Sequence, residues 1–553
     1  MRMGIRSECI VVLLGLGVCS IEGFAPSNAI TNVNKGRGAS ALQMAMEEKE
    51  EKEEKEQSRR SVLSKGAGAA LGGLLGVSSG WSNIDSVANA EGIASAVASP
   101  IAPAIAPAIA SPAVSADVTW PLGKVAFSLL PLAGTSSRRA TVEEEVVKGT
   151  IWTHDQIQGV VNVNVPVRQT VVKLSEAAGG GLLVHNPVAP TPQLTAMMDA
   201  LVQKHGPVRH IVLGTVALEH KATFGPFAQR YPDATVWLQP GQWAFPVNLP
   251  IELSGVTQRG PRLRQLAPPS TSPEKGYRYY ASANPTPEWA ADIDYEILGP
   301  LRFQSVGAFS ETAFFHKPTK TLLVTDTVVS VTNTPPAIIQ EDPRAMLFHA
   351  RDSIDEIVRD DAPTREKGWR RMVQFGLVFF PSQIDVVPVA QWLPQASKVE
   401  KSMKPLGKDA VPYSLYPWTW HDNDADLTNF NAISQQGALF CPPILTKLIL
   451  DREPVATLAW VDRVCQRFDF ERVIPCHLNN NVKATPAQFY KAFDPLRSDP
   501  INGQLYTQRP LAEDLALLQK ASDLLTDVGV VKSAEVCDLE PARLVGRFAK
   551  KQS

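Results

Sequence analysis

The sequence predicts an α/β layered fold, and three observations carry that prediction. Short β-rich runs alternate with helix-patterned stretches between residues 147 and 240. HIVLGTV (residues 210–216) is a continuous apolar run, as expected of a strand covered on both faces. Thr191-Pro192 then reads as a helix start, with an N-cap hydroxyl followed by Pro at the first helical position.

The elements follow in order. VVKGTIWTH, GVVNVNV and TVVKL read as short strands, and GGGLLVHNPV as a strand with a Gly-rich entry. In the helix after Thr191, Leu194, Met197, Met198, Leu201 and Val202 recur at helical spacing, and Gly206-Pro207 stops it. HIVLGTV is the next strand, FGPFAQRYPDA a short helix and TVWLQP a further strand. ETAFFHKPTKTLLVTDTVV reads as a hairpin with a tight KPTK turn. Residues 341–380 are mainly helical, amphipathic and highly charged, and they belong to a helical insertion spanning about 335–445. ERVIPCHL is a strand ending at a His, and residues 485–527 supply at least two closing helices.

The first ninety residues read as an address. Met1–Gly23 has a basic start (Arg2, Arg6) and a short apolar core, as a signal peptide does. Residues 24–46 contain Lys35 and Arg37, several hydroxyl residues and no acid, a transit-peptide composition. With the Phe24-Ala25-Pro26 junction, this order resembles the two-part plastid presequences of algae with secondary plastids; simple secretion stays open. An acidic and lysine-rich run (47–57) leads to Arg59-Arg60, a mildly apolar stretch and Ala88-Asn89-Ala90. That resembles a twin-arginine signal, which behind a plastid presequence implies the thylakoid lumen. Residues 91–117 are Ala/Pro-rich, and their prolines rule out a membrane helix, so they read as a linker. The expected organisation is a disordered targeting region (1–90), the linker (91–117) and one folded domain (118–553).

A formal net charge of −2 gives no footprint for nucleic acid or anionic lipid. No transmembrane helix is expected in the mature chain, and the sequence names no small-molecule or protein partner. The six Cys form no CxxC pair, and Cys441, Cys465, Cys476 and Cys537 are too scattered to imply a disulfide framework or a zinc knuckle. No phosphate loop, dinucleotide fingerprint or nucleophile elbow occurs.

Chemistry concentrates at three predicted strand ends: Glu219-His220, Thr325-Asp326-Thr327 and Pro475-Cys476-His477. Sites in open α/β proteins form at strand ends, and imidazole and carboxylate are divalent-metal donors. The arrangement resembles the metallo-β-lactamase superfamily, which implies an αββα sandwich with metal held at strand ends. More closely, residues 147–530 resemble the plant, algal and cyanobacterial DUF4336 family. GTIWTHDQIQG, VNVPVRQTVVKL, LLVHNPVAPTP, LEHKATFGPFAQRYPDATVWLQPGQWAFPVNLP, HKPTKTLLVTDTV and PPILTKLILDREP carry that resemblance.

Aligned on His220, the superfamily's His-x-His-x-Asp-His motif places its Asp on Glu219 and its two earlier His on Thr215 and Ala217. A third His position falls near 307–310, where there is no His. One metal subsite has therefore lost its imidazoles. The other survives as Glu219, His220, Asp326 and His477, with Glu219 and Asp326 as the catalytic candidates. The resemblance implies one zinc, or iron or manganese, and hydrolysis of an ester, thioester, amide or phosphoester. The alternative is a binding or assembly scaffold that kept the fold and lost the metal. A mononuclear-iron redox protein is a third reading.

Other residues carry blander expectations. His316 reads as the outer edge of a hairpin, His185 as a core residue near the site, and Cys476 as a small core residue. Trp418 and Trp420, with Trp243 and Phe245-Pro246, read either as a pocket wall or as buried packing. The alternating Asp after His421 lack the Gly and terminal Glu of an EF-hand.

Overall fold

The computed structural model describes residues 140–160, 163–242, 256–266, 286–302, 308–353, 356–378, 381–388, 418–421, 425–497 and 512–534. The targeting region, the linker, the expected domain start at Val118, Trp243, Phe245, Pro246, residues 422–424 and Cys537 lie outside the described residues.

Seven strands form the first sheet in sequence order: β1 (Val142–Val147), β2 (Ile151–Val160), β3 (Val163–Lys173), β4 (Leu182–His185), β5 (Val208–Leu213), β6 (Thr235–Leu238) and β7 (Leu263–Gln265). The first four pair antiparallel, whereas β4 to β7 run parallel. Parallel neighbours need a crossover. Helices α1 (Pro192–His205) and α2 (Leu218–Arg230) are those between β4 and β5 and between β5 and β6. The Thr191 hydroxyl accepts from the Leu194 amide, and Gly206 ends α1 at φ +93°, as the sequence predicts.

The second sheet begins with β8 (Ile293–Arg302), β9 (Ala308–His316) and β10 (Thr321–Val324). The chain then leaves for the insertion, where β11 (Ile384–Val386) and β12 (Trp418–Trp420) form a separate ribbon. It returns as β13 (Arg472–Pro475) and β14 (Val482–Lys483), giving the order β14-β13-β10-β9-β8. Only β10 and β13 are parallel neighbours in this sheet.

Side chains alternate across each strand, so each sheet has two faces to cover. The inner faces meet: Val172, Leu183 and Val212 of the first sheet pack with Tyr295, Phe314, Leu323 and Ile474 of the second. On the first sheet's outer face, Val184, Ile211 and Val236 pack on Leu194, Met198, Phe224 and Phe227 of α1 and α2. On the second sheet's outer face, Phe315, Leu322 and Val473 pack on residues of α3 (Pro454–Arg467) and α4 (Pro486–Ala492), including Leu458, Val461 and Phe489. The layers are helix, sheet, sheet, helix, the αββα sandwich that the resemblance implies. Among the described residues, no helix is long and apolar enough to cross a membrane.

Three expectations need correcting. VVKGTIWTH, GVVNVNV and TVVKL are not separate short strands: residues 151–160 and 163–173 form two long strands that pair along their whole length. The helix expected at FGPFAQRYPDA starts earlier, at Leu218, and carries Pro226 in its interior. Pro226 suited the first turn of a helix starting at Phe224, where a missing N–H is harmless, and that masked the true start. His316 is buried, not on an outer edge, because it closes an interior strand and pairs with Ile293 on one side and Thr321 on the other. In the insertion, Trp418 and Trp420 realise the buried-packing reading. They join a core with Phe375, and the Arg371 guanidinium lies 4.2 Å from the Trp420 ring.

Candidate metal centre

The parallel pairing of β10 with β13 builds the site. Val324 pairs with Pro475, and the Cys476 amide still donates to the Thr325 carbonyl at 3.3 Å. Two residues beyond that register lie Asp326 and His477, abreast at neighbouring strand ends. His477 Nε2 is 3.0 Å from Asp326 Oδ1.

His220 arrives from the other sheet. Beyond β5 the chain crosses to β9, with the Val216 amide donating to Ser310 and the Thr312 amide donating to Gly214. The first turn of α2 then carries Glu219 and His220. These two residues are therefore helical, not the end of a strand as expected, but they still reach the strand ends of the second sheet. His220 Nε2 lies 3.2 Å from His477 Nε2 and 4.0 Å from Asp326 Oδ1. One ligand atom each from Glu219, His220, Asp326 and His477 falls within 4.8 Å of the other three. The structure thus brings together all four residues singled out in the sequence.

The electrostatics fit a cation. Burial raises the Glu219 pKa, and the Asp326 charge raises it further. Burial works against ionised Asp326, but the hydrogen bond and charge of His477 outweigh it and hold this carboxyl low. Burial likewise opposes protonated His477, yet Asp326 and Glu219 raise its pKa. His220 is lowered to about 3, by burial first. Beside the cluster, burial lowers Lys221 to about 7 against the pull of Glu219.

Geometry gives a sharper test of fit. Two imidazole nitrogens at about 2.0–2.1 Å from one tetrahedral ion lie about 3.3 Å apart, and here the two Nε2 atoms are 3.2 Å apart. His477 Nδ1 lies 2.8 Å from the Pro166 carbonyl, which can only accept, so Nδ1 carries the hydrogen and Nε2 is free to ligate when the ring is neutral. Asp326 Oδ2 and His220 Nδ1 are buried without a hydrogen-bond partner. The four residues fit a divalent metal ion.

The positions at which the resemblance expects imidazoles hold other residues. Thr215 is buried and bridges to Glu311, and Ser310 donates its hydroxyl hydrogen to the Leu298 carbonyl and receives the Gln239 amide. Glu311 itself is fully buried and was missed in the sequence. Its two oxygens accept from the amides of Thr325 (2.8 Å), Asp326 (2.8 Å) and Thr327 (3.0 Å) and from the Thr327 hydroxyl (2.7 Å). Burial and the Asp326 charge raise it to about 7, against the pull of those donors. A carboxylate in the middle of a wholly buried strand was the available signal. Asn186 was also missed; its side chain donates to Thr325 Oγ1 and Cys476 Sγ and accepts from the Gly214 amide. Cys476 is a buried thiol, and burial raises its pKa, as expected of a core residue.

His185 lies against this network, with its ring 5.1 Å from that of Phe314 and both nitrogens unpartnered. Burial and then His220 lower it to about 3. Its folded pKa lies below the unfolded value of about 6.5, so its contribution to stability is present above that value and is lost as pH falls towards 3. At pH 5 the loss is about 2 kcal/mol. Melting curves from pH 7 to 5 should therefore fall less steeply for His185→Leu than for the wild type, and parallel slopes would show that His185 takes up a proton in the folded state.

The two-sheet fold, with a His/carboxylate cluster where two adjacent strand ends meet the first turn of α2, defines the class: an αββα protein with a candidate metal centre. The profile described as Domain of unknown function (DUF4336) matches residues 148–494, and the chain belongs to that family. No curated protein matches. Solved structures similar to the chain include a metallo-beta-lactamase from Pontibacter korlensis, at 13% identity, covering 37% of this chain and 83% of that one, with a TM-score of 0.23. A second is a fragment (1–254) of putative diflavin flavoprotein A 5 from Nostoc sp. PCC 7120, at 7% identity, 70% and 99% coverage and a TM-score of 0.27. A third is the metal-soaked Flv1 flavodiiron core from Synechocystis sp. PCC6803, at 9% identity, 70% and 98% coverage and a TM-score of 0.24.

Proposed function

We propose that this protein is a metal-dependent hydrolase with a single-metal site held by Glu219, His220, Asp326 and His477. The observation that carries this reading is the 3.2 Å approach of two imidazole Nε2 atoms, one of them oriented by a backbone carbonyl, beside two carboxylates. A bound zinc, iron or manganese ion would acidify a water and polarise a carbonyl or phosphoryl oxygen. Asp326 and the two imidazoles fix the position of that chemistry. Where Glu219 does not ligate the metal, it is the group placed to take the proton from an attacking water. The substrate class is an ester, thioester, amide or phosphoester.

The absence of imidazoles from the first subsite favours a second reading, a binding or assembly scaffold. Thr215 and Ser310 hold protein hydrogen bonds where the superfamily has imidazoles. Elemental analysis of protein purified without chelator separates the two, with His220→Ala and Asp326→Ala run beside it. About one metal per chain, lost in both variants, supports the hydrolase reading; no metal after reconstitution, with both variants folded, sinks it in favour of the scaffold. Bound iron would direct the assays to oxygen chemistry instead.

The proposed location is the plastid, with the thylakoid lumen as the compartment implied by Arg59-Arg60 and Ala88-Asn89-Ala90. A fluorescent fusion to residues 1–117 tests it, and secretion of the fusion would refute it.

A further inference from the structure

His477 sits on a loop that the chain does not adopt unaided: Leu478 has φ +58°, in the left-handed region that non-glycine residues seldom occupy. Ser330, Glu144 and Thr153 bond the loop at Asn479 and Asn480, and the contacts that flank His477 itself come from β3. The Arg168 side chain there is fully buried, and a guanidinium offers five N–H donors in a rigid planar fork. All five are used. Nε and Nη2 donate to the two oxygens of Asp155 at 2.7 and 2.6 Å. Nη1 donates to the carbonyls of Pro475 at 2.6 Å and Asn479 at 3.3 Å, and Nη2 donates also to that of Leu478 at 3.0 Å. Asp155 is the cross-strand partner of Arg168 in the β2–β3 ladder, so the ladder aims the fork at the loop. Pro166, two residues earlier on β3, supplies the carbonyl that orients the His477 ring.

We propose that Arg168 is the positioning residue of His477: anchored by Asp155, it grips the backbone on both sides of the imidazole and so keeps Nε2 facing Asp326 and His220. Cohesion between the strands alone does not require this arrangement, since a buried ion pair can often be replaced by apolar side chains with little change in stability. Three carbonyls of one site-bearing loop need a donor of this shape. Lysine cannot supply it, because its three donors radiate from one point instead of a planar fork. The inference concerns the same four-residue site, and its affinity readout rests on the metal reading; its backbone readout does not.

The test uses the full chain as wild type, Arg168→Lys and the double variant Arg168→Met/Asp155→Leu, which removes the pair without stranding a buried charge. Cobalt(II) is titrated by its visible absorption, and hydrogen exchange is followed in metal-free protein. The Cys476 and Asn479 amides, bonded to the Thr325 and Ser330 carbonyls, report on the loop. We expect both variants to fold but to melt below the wild type, because the Pro475, Leu478 and Asn479 carbonyls lose the Arg168 donors, both to bind cobalt about 10–100-fold more weakly, and exchange to accelerate within residues 475–480 alone. Unchanged cobalt affinity, or unchanged exchange in the loop, in a folded variant overturns the assignment. If the wild type takes up no cobalt, the metal reading fails and exchange alone decides: acceleration confined to the loop supports Arg168, and its absence overturns it. Arg168→Lys keeps the test decisive if the double variant does not fold.

Discussion

Glu311→Ala should destabilise the domain by about 3–5 kcal/mol, the range found when one partner of a buried charged network is removed. The effect is large because the Glu311 carboxylate is the shared acceptor for four buried donors: the amides of Thr325, Asp326 and Thr327 and the Thr327 hydroxyl. Truncation leaves all four without a partner in a space walled by β9 and β10. Glu311→Gln should fall between Ala and wild type. It keeps one acceptor oxygen but sets an amide NH2 against the donors on the other side. Urea unfolding of metal-free protein measures both, which separates the cost to the fold from any lost ligand. Since the three amides bracket Asp326, the same variants should weaken metal uptake. A Glu311→Ala protein within about 1 kcal/mol of wild type would show that water replaces the carboxylate at no cost.

The alternating runs made the layers legible. The switch from period-two strands to helical spacing after Thr191 is a local signal, and so is the break at Gly206-Pro207. His220, Asp326 and His477 were legible for a related reason: each follows an apolar run whose end could be read directly. Neither Arg168 nor Glu311 announces its task in that way. Arg168 stands mid-strand in VNVPVRQTVVKL among mostly apolar residues, and its five acceptors lie on Asp155 and on a loop about three hundred residues away. Spacing along the chain carries no trace of such a contact. The helical setting of Glu219-His220 was hidden differently. Ala217 at the N-cap supplies no side-chain hydrogen bond, so the usual start signal is missing, and Pro226 imitates a start nearly two turns too late. Tertiary packing of Phe224 and Phe227 against the first sheet, not local capping, explains the helix that forms.

The same cluster predicts how metal affinity should follow pH. Ligands must be deprotonated to bind, so metal and protons compete. In the metal-free protein the pKa values of His477 and Glu219 are both raised, while Asp326 is held low and His220 is at about 3. Asp326 and His220 therefore hold no proton to displace near neutral pH. His477 holds one below its raised pKa, and Glu219 holds one only at pH values below its own raised pKa. Affinity should rise with pH, by about tenfold per pH unit where one of them must lose its proton and about a hundredfold where both must. It should level off once the pH exceeds both values. Isothermal titration with zinc in buffers of different ionisation enthalpy counts the released protons directly. His477→Ala should lose most of the affinity together with one proton of the release. Glu219→Gln should remove the other proton but leave measurable binding, because two imidazoles and Asp326 remain. A zinc affinity that is flat between pH 5.5 and 8 would mean that His477, whose pKa is raised above the usual imidazole value, is not a ligand. The metal would then sit elsewhere, and the Asp326–His477 pair would be a buried ion pair of the kind many cores contain.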